Sequence, residues 1–504
     1  TSALLYQVPK AYRTQINDVL LTALVESMAG WMGQRRLLVT LEGHGREEVV
    51  ADVDLSRTVG WFTTLSPVLL DLGYPQDPGA SLRSVKEQMR GIPNRGIGYG
   101  LLRYLRADER SEPLRRLPSP EVAFNYLGRF DDAIDAAAFL RPSAGPAGPL
   151  RDPRQSRDHL LEVNGLIAGG RLRLTWTYSE NLHRRSTLEA LSAGFVTCLR
   201  AVIAHCTAPG VRGYTPSDFP LAELDPYTLD RLLAGQAVED LYPLSPLQHG
   251  MLFHSADVPG AGVYFRQLCC TLRGDLDVDA FRRACQETLD RHPILRTAFL
   301  WRDCPQPLQV VLERAELPMA VEDLGGLDEG AQAERLASLR RADLELGFEL
   351  ATAPLMRLAL LRLGEDRHKL VWSFHHLVSD GWSFSLLLAE VFAFYDAFRH
   401  DRPFERERPR PFREYIAWLR RQDRAAAERF WRPALAGFPA ATPLASDRPP
   451  AAVEPRPEEQ LHRQVWLPVE DTALLQDWTR RHQLTLNTAV QGAWALLLAR
   501  ESGE

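Results

Sequence analysis

Lysine is nearly missing from this chain: Lys10, Lys86 and Lys369 are the only three in 504 residues. Arginine supplies the other basic side chains, so the scarcity reads as codon bias and assigns no function by itself. A basic excess is lacking as well. Lys and Arg total 59 against 65 Asp and Glu, a formal net charge of −6, whereas a nucleic-acid binder usually shows a basic face. No CxxC spacing occurs among the six cysteines. That argues against a zinc site and a disulfide framework. It leaves the expectation of buried, reduced thiols, the adjacent Cys269 and Cys270 included, in a cytoplasmic protein. No apolar run approaches the ~20 residues of a membrane span, and Thr1–Tyr6 has neither a basic segment nor a cleavage signature, so no membrane association is expected. An initiator methionine is lacking too, and the chain stops directly after an apolar helical pattern. Both ends are therefore expected to be cuts in something longer.

What is present is ordinary for a globular chain: 45% hydrophobic and 25% charged residues, with length for about three compact units at roughly 100–200 residues each. Residues 15–32 repeat apolar side chains at helical spacing, with Asn17 or Thr14 as cap. Leu37–Leu41 predicts a buried strand running into the glycine-punctuated loop Glu42–Glu47. A helix over 81–91 precedes a second glycine-rich loop, Pro93–Gly100. Val122–Leu127 predicts a strand, and 141–153 a surface loop. Leu160–Ile167 and Arg171–Tyr178 flank Ala168-Gly169-Gly170 as a hairpin, and 186–205 follows as an amphipathic helix. Proline and glycine break the pattern between 208 and 238, the strongest candidate for a domain boundary.

Beyond that break, helices are predicted over 278–292 and 330–344, with a strand at Leu295–Leu300. Leu355–Leu363 and Lys369–Phe374 predict paired strands, and an apolar helix runs from Ser383 to Phe398. Residues 400–413 and 437–460 are Pro/Arg-rich loops, and 470–483 and 486–500 two final helices. Residues 17–34 echo 487–504 at an offset of 470, with Asn17/Asn487, Ala23/Ala493, Ala29/Ala499 and Gly33/Gly503 matching. The chain reads as starting and stopping at equivalent points of two related domains.

The sharpest chemical signal is His375-His376-x-x-x-Asp380-Gly381 at a strand end. Adjacent strand side chains point to opposite faces, so one histidine can face a cavity while the other packs or orients. A neutral imidazole can take a proton from an amine or hydroxyl. Asp380 can pair with an arginine and shape the loop, and Gly381 can let the chain turn into the next helix. The arrangement suits acyl transfer without a covalent enzyme intermediate. Two other readings stay open, a structural histidine pair and a metal half-site, the latter with no second His/Cys cluster near in sequence. Glu42 follows a buried strand beside His44. A partly desolvated carboxylate there can have a raised pKa and act as a general base, while a solvated acidic loop is the plainer alternative. Asn125-Tyr126, at another strand end, is a weaker pair, and Tyr126 fits a scaffold role as well.

Over nearly the whole chain, these residues resemble nonribosomal peptide synthetase modules. EGHGRE (Glu42–Glu47), RTVGWFTTLSP (Arg57–Pro67), PNRGIGYG (Pro93–Gly100) and FNYLGR (Phe124–Arg129) are similar to the last four motifs of an epimerization domain. YPLSPLQHGMLFH (Tyr242–His254), RHPILRTAF (Arg291–Phe299), HHLVSDGWS (His375–Ser383) and FREYIAW (Phe412–Trp418) are similar to the first four motifs of a condensation domain. Tyr214–Phe219 is similar to the linker between two such domains. The resemblance implies an α/β (α+β) fold of chloramphenicol-acetyltransferase-like subdomains. Residues 1–208 would be the C-terminal portion of an epimerization domain, 209–238 the linker, and 239–504 the N-terminal portion of a condensation domain, with 466–504 opening its C-terminal subdomain. The epimerization half lacks its own histidine motif, and the condensation half its closing motifs.

By resemblance, the condensation portion joins a peptidyl thioester to the amine of an aminoacyl thioester, both delivered on 4'-phosphopantetheine arms of upstream and downstream carrier proteins. No cofactor or metal is bound by the chain itself, and the flanking synthetase domains are further partners. His376 would be the catalytic or orienting histidine, with His375 beside it and Asp380 structural. Arg296 is one partner suggested for Asp380, and the Gly381 N–H a group that positions the reactants. Glu42 would exchange the α-proton in L-to-D epimerization, with Asn125 and Tyr126 near the thioester. The order of the two domains, and the run Leu244–His254, imply a D-configured donor. Two alternatives are a catalytically incomplete fragment that docks carrier proteins and a stand-alone acyltransferase built from residues 239–504.

Overall fold

The computed structural model describes residues 1–47, 49, 53–73, 77–106, 108–109, 111–129, 152, 156–257, 262–404, 407–437 and 463–502. Most of the loops expected at 141–153 and 437–460, and Gly503 of the internal echo, lie outside the described residues. The chain divides into two units, Thr1–Arg420 and Arg421–Glu504. The architecture is mixed α/β, as expected.

The first lobe is a five-stranded sheet in the order β2-β1-β3-β4-β5, formed by β1 (Arg36–Gly43), β2 (Thr64–Asp71), β3 (Val122–Arg129), β4 (Leu161–Ala168) and β5 (Arg171–Tyr178). β1, β3 and β4 run parallel; β2 and β5 are antiparallel edges. The alternation of β1 explains why the sheet is covered on one face. Leu37 and Val39 are buried against helices Ile16–Met32 and Arg185–Thr207, which leaves Leu38, Thr40 and Glu42 on the opposite face. Gly169 and Gly170, both at positive φ, make the predicted β4–β5 hairpin turn, a conformation that matches the twist of the two strands.

Helix Ile16–Met32 is begun neither by Asn17 nor by Thr14. The Gln15 N–H donates to Asp18 Oδ2 at 2.7 Å, so the carboxylate of the first turn satisfies the helix start instead, and Asn17 Oδ1 and Thr14 Oγ1 are buried without partners. Pro93–Gly100 is also different from its expected loop. It folds as short helical turns, Pro93–Gly96 and Ile97–Gly100, because Asn94, Arg95 and Gly96 all take left-handed conformations that coil the chain. Helix Arg185–Thr207 is the one described helix long and apolar enough, by length and composition, to cross a membrane, although polar residues interrupt its apolar run. Its stripe of Leu188, Leu191, Phe195, Leu199 and Val202 is buried in the lobe's core.

The second lobe has a four-stranded sheet, β10-β11-β12-β7, and a three-stranded one, β6-β9-β8. Its strands are β6 (Val238–Pro243), β7 (Phe265–Arg273), β8 (Thr297–Leu300), β9 (Leu308–Leu312), β10 (Met319–Asp323), β11 (Met356–Arg362) and β12 (Arg367–His375). Phe281, Leu289, Trp372, Phe374, Val391 and Phe394 pack helices Val278–Arg291 and Gly381–Arg399 onto the larger sheet. Of the six thiols, only Cys206 and Cys285 are buried. Cys269 and Cys270 are half-buried on β7, contrary to expectation, because this strand closes the edge of its sheet.

Residues 209–238 are an ordered joint. Tyr214, Phe219, Leu224, Leu229 and Leu233 share a core with Val238, Leu241, Leu308 and Val310 of the second lobe. Toward the first lobe, the buried Lys86 ammonium donates to Tyr12 O and to both oxygens of Asp218, each at 2.7 Å. Glu87 accepts from Ser217, and Arg83 pairs with Asp230 at 2.7 Å.

The second unit holds helices Arg424–Ala434, Val469–Arg481 and Leu486–Ser502. Helix Leu486–Ser502 matches helix Ile16–Met32 residue for residue at the offset of 470, and both have 17 residues, so the sequence echo has a structural counterpart at both helix ends.

Candidate functional site

Three motifs of the first lobe converge around the end of β1. The Arg46 guanidinium lies over the Phe62 ring at 4.4 Å and donates to Thr58 O, and Glu47 meets Arg95 at 3.6 Å. Gly45 is required there. Its φ is positive, and a Cβ would stand 1.7 Å from Phe62 O, closer than any side chain tolerates. Glu42 itself is not in the expected loop but in β1, paired with Leu65 of β2, and the loop that follows it is pinned to the neighbouring one. Partial desolvation raises the Glu42 pKa above its ordinary value, although the residue remains exposed at the strand end. The β1–β3 register pairs Thr40 with Ala123 and Leu41 with Phe124. Carried one step past the last paired residues, that register sets Glu42 level with Asn125, on the face opposite Leu37 and Val39. Tyr126 instead packs against the helix-side core, and burial raises its phenol. Strand alternation therefore puts Glu42 and Asn125 on one face of the sheet and Tyr126 on the other.

In the second lobe, β12 ends at His375, and the two histidines separate as alternation predicts. His375 is buried; His376 is half-buried at the head of the following turn. The ring of His375 accepts the Leu377 N–H at Nδ1, at 3.2 Å. Its proton therefore sits on Nε2, facing Ser255 Oγ at 3.4 Å, and this ring has no lone pair left to act as a base. His376 is the opposite tautomer. Its Nδ1 lies 2.7 Å from the Ser379 carbonyl, an acceptor only, so Nδ1 carries the proton and Nε2 keeps its lone pair. The backbone N–H of His376 donates to Tyr264 O at 2.9 Å, and Tyr264 itself is held at positive φ, an uncommon conformation for a bulky residue.

Asp380 caps helix Gly381–Arg399 by accepting the Ser383 N–H at 2.7 Å, and this bonding holds its carboxyl below the usual range. Arg296 is not its partner. That guanidinium is buried against Glu239 at 2.9 Å and donates to Leu312 O, because burial draws it to the acceptors of the smaller sheet. Gly381 has no positive φ, and a Cβ on it would meet nothing within 4 Å. The expected tight turn therefore does not demand glycine. Among the described residues, no group of three or more His, Cys, Asp or Glu side chains is placed to hold a metal ion.

Burial lowers the pKa of His375 to about 4, with the neighbouring His376 adding to the shift. An unfolded histidine takes its proton near 6.5. Between those values the unfolded chain binds the extra proton, so this contribution to stability is complete above about pH 6.5 and is lost as pH falls toward 4, by about 3 kcal/mol in all. Urea titrations at pH 7 and pH 4.5 should show that loss, and His375→Gln should flatten it. An equal slope in the variant would refute the assignment.

Several residues at these sites escaped the sequence reading. Gln248 and Gln309 beneath the His376 turn carry no signal except that Gln248 sits inside the motif Tyr242–His254. Lys86 did carry one, as a rare lysine in an arginine-rich chain.

The condensation domain family matches residues 1–224 and again residues 238–504. A linear gramicidin synthase of Brevibacillus parabrevis is 44% identical over 505 residues, covering 100% of this chain and 6% of that protein. Chondramide synthase cmdD of Chondromyces crocatus is 41% identical, covering 100% of this chain and 14% of that protein. The chain thus spans a small fraction of the length of these curated relatives. Among solved structures, the epimerization domain from the third module of tyrocidine synthetase B is 36% identical over 41% of this chain and 46% of that one, with a TM-score of 0.39.

Proposed function

Because the chain belongs to the condensation domain family over both of its lobes, we propose that it serves a nonribosomal peptide synthetase in two steps: inversion of a carrier-bound residue, served by residues 1–208, and amide-bond formation, served by residues 239–504. The observation that carries this reading is the His376 imidazole, whose Nδ1 proton is committed to Ser379 O and whose Nε2 lone pair is left over. In amide formation, the acceptor amine attacks the donor thioester carbonyl. The C–N bond forms, the C–S bond breaks, and the phosphopantetheine thiol leaves with a proton. His376 Nε2 is the group that takes or orients the amine proton, and the Gly381 N–H, in the first helical turn, is the nearby donor on the same loop. In inversion, the raised carboxyl of Glu42 exchanges the α-proton beside Asn125, and a donor on the other face of the α-carbon completes the exchange. A condensation step fed by such an inversion takes a D-configured donor. Partners are carrier proteins bearing the thioesters, and the phosphopantetheine arms belong to them.

The test uses carrier-bound donor and acceptor thioesters with product detection by mass spectrometry. Residues 1–504 alone should show little turnover, and a longer chain that adds the flanking synthetase domains should restore it. Efficient amide formation by residues 1–504 alone would overturn the two-portion reading in favour of a self-contained acyltransferase. Carrier binding without turnover in both chains would leave a docking role.

A further inference from the structure

The turn that carries His376 rests on a pair of buried amides. Gln248, on helix Pro246–Asp257, is 5% exposed, and Gln309, on β9, is fully buried. Gln248 Nε2 donates to the Leu377 carbonyl at 3.0 Å and to Gln309 Oε1 at 3.0 Å. Gln309 Nε2 donates to Gln248 Oε1 at 3.1 Å and to Pro243 O at 3.1 Å. The orientation of each amide is determined by backbone groups that have a single sense. The Ser245 N–H needs an acceptor and finds Gln248 Oε1 at 3.0 Å. The Leu377 carbonyl needs a donor, so the amide nitrogen must face it. Leu377 directly follows His376, and the Ser379 carbonyl that sets the His376 tautomer lies two residues further on. A buried carbonyl without a donor is costly. Removing the Gln248 donor would therefore let the turn shift and release the imidazole.

We propose that Gln248 is a positioning residue for His376. Its amide holds the Leu377 carbonyl and so aims the imidazole, and Gln309 fixes which end of the Gln248 amide meets the turn. This deepens the amide-forming reading and rests on it, but it is testable without thioesters.

Histidine ring nitrogens are isotope-labelled in the whole 504-residue chain, and the His376 signal is identified by its loss in His376→Ala. In the unaltered chain NMR should report one tautomer, with the proton on Nδ1. In Gln248→Met, which keeps the length and removes both donors, the signal should move toward the tautomer mixture of a free histidine. In the longer, carrier-containing chain the same substitution should lower kcat by about 10²-fold and leave KM unchanged, the expected cost of a small misplacement at the reacting centre. An unchanged His376 tautomer in Gln248→Met would overturn the proposal, whatever the melting temperature does. If Gln248→Met does not fold, Gln309→Met is read by the same criterion. Loss of amide formation in the unaltered chain would count against the functional reading and leave the tautomer result standing.

Discussion

His376→Ala, in a chain that carries the flanking and carrier domains, should lower amide formation by about 10²–10⁴-fold, the usual contribution of a positioned general base. Its cost in stability should be small, on the order of 1 kcal/mol, because His376 is half-buried and gives up one hydrogen bond to Ser379 O. His375→Ala should reverse the pattern. That ring is buried, bonded to the Leu377 N–H and packed against Tyr264, so its loss empties core volume and should cost about 2 kcal/mol or more. Rates from the carrier-bound assay and urea midpoints for both variants separate the two roles. A His376→Ala chain that still condenses at the unaltered rate would remove His376 from the chemistry.

Lys86→Met should destabilise the chain by about 3–5 kcal/mol, the cost of leaving one member of a buried ion pair without the other. The ammonium is 1% exposed and Asp218 8%. Burial pushes the Lys86 pKa down while its bonds to Asp218 pull it back up. Once Lys86 is replaced, Asp218 keeps Thr215 at 2.8 Å but no cation. The double variant Lys86→Met with Asp218→Leu should recover much of the loss, since replacing both charges by apolar groups removes the unpaired one. Lys86→Arg should not rescue, because the three 2.7 Å bonds converge on one tetrahedral nitrogen and a planar guanidinium cannot reproduce them. The readout is the urea midpoint together with protease sensitivity between residues 208 and 238. A midpoint unchanged in Lys86→Met would show that the joint is held by its apolar core alone.

Much of the fold was legible because it is written in local periodicity. The helices at 16–32, 278–291 and 486–502, the β4–β5 hairpin and the pairing of β11 with β12 all follow from apolar spacing and turn chemistry. The strands that were missed lack that signal. β9 is buried on both faces from Leu308 to Val311, so it shows no alternation, and β2 carries Pro67 in its middle, which an edge strand tolerates and a sequence pattern does not reveal.

By itself, then, the sequence determined the mixed α/β class and the two related stretches, and it singled out the residues of the two candidate sites, His376 with Asp380 and Glu42 beside a glycine loop. Only the tertiary structure decided which histidine keeps a free nitrogen, that Arg296 serves Glu239, that Tyr126 turns away from Glu42, and that Gln248 and Lys86 hold the turn and the joint. The physical reason is distance along the chain. Periodicity reports which face of an element is apolar, but a polar side chain takes its role from a partner, and Gln248 finds Leu377 129 residues away and Lys86 finds Asp218 132 residues away.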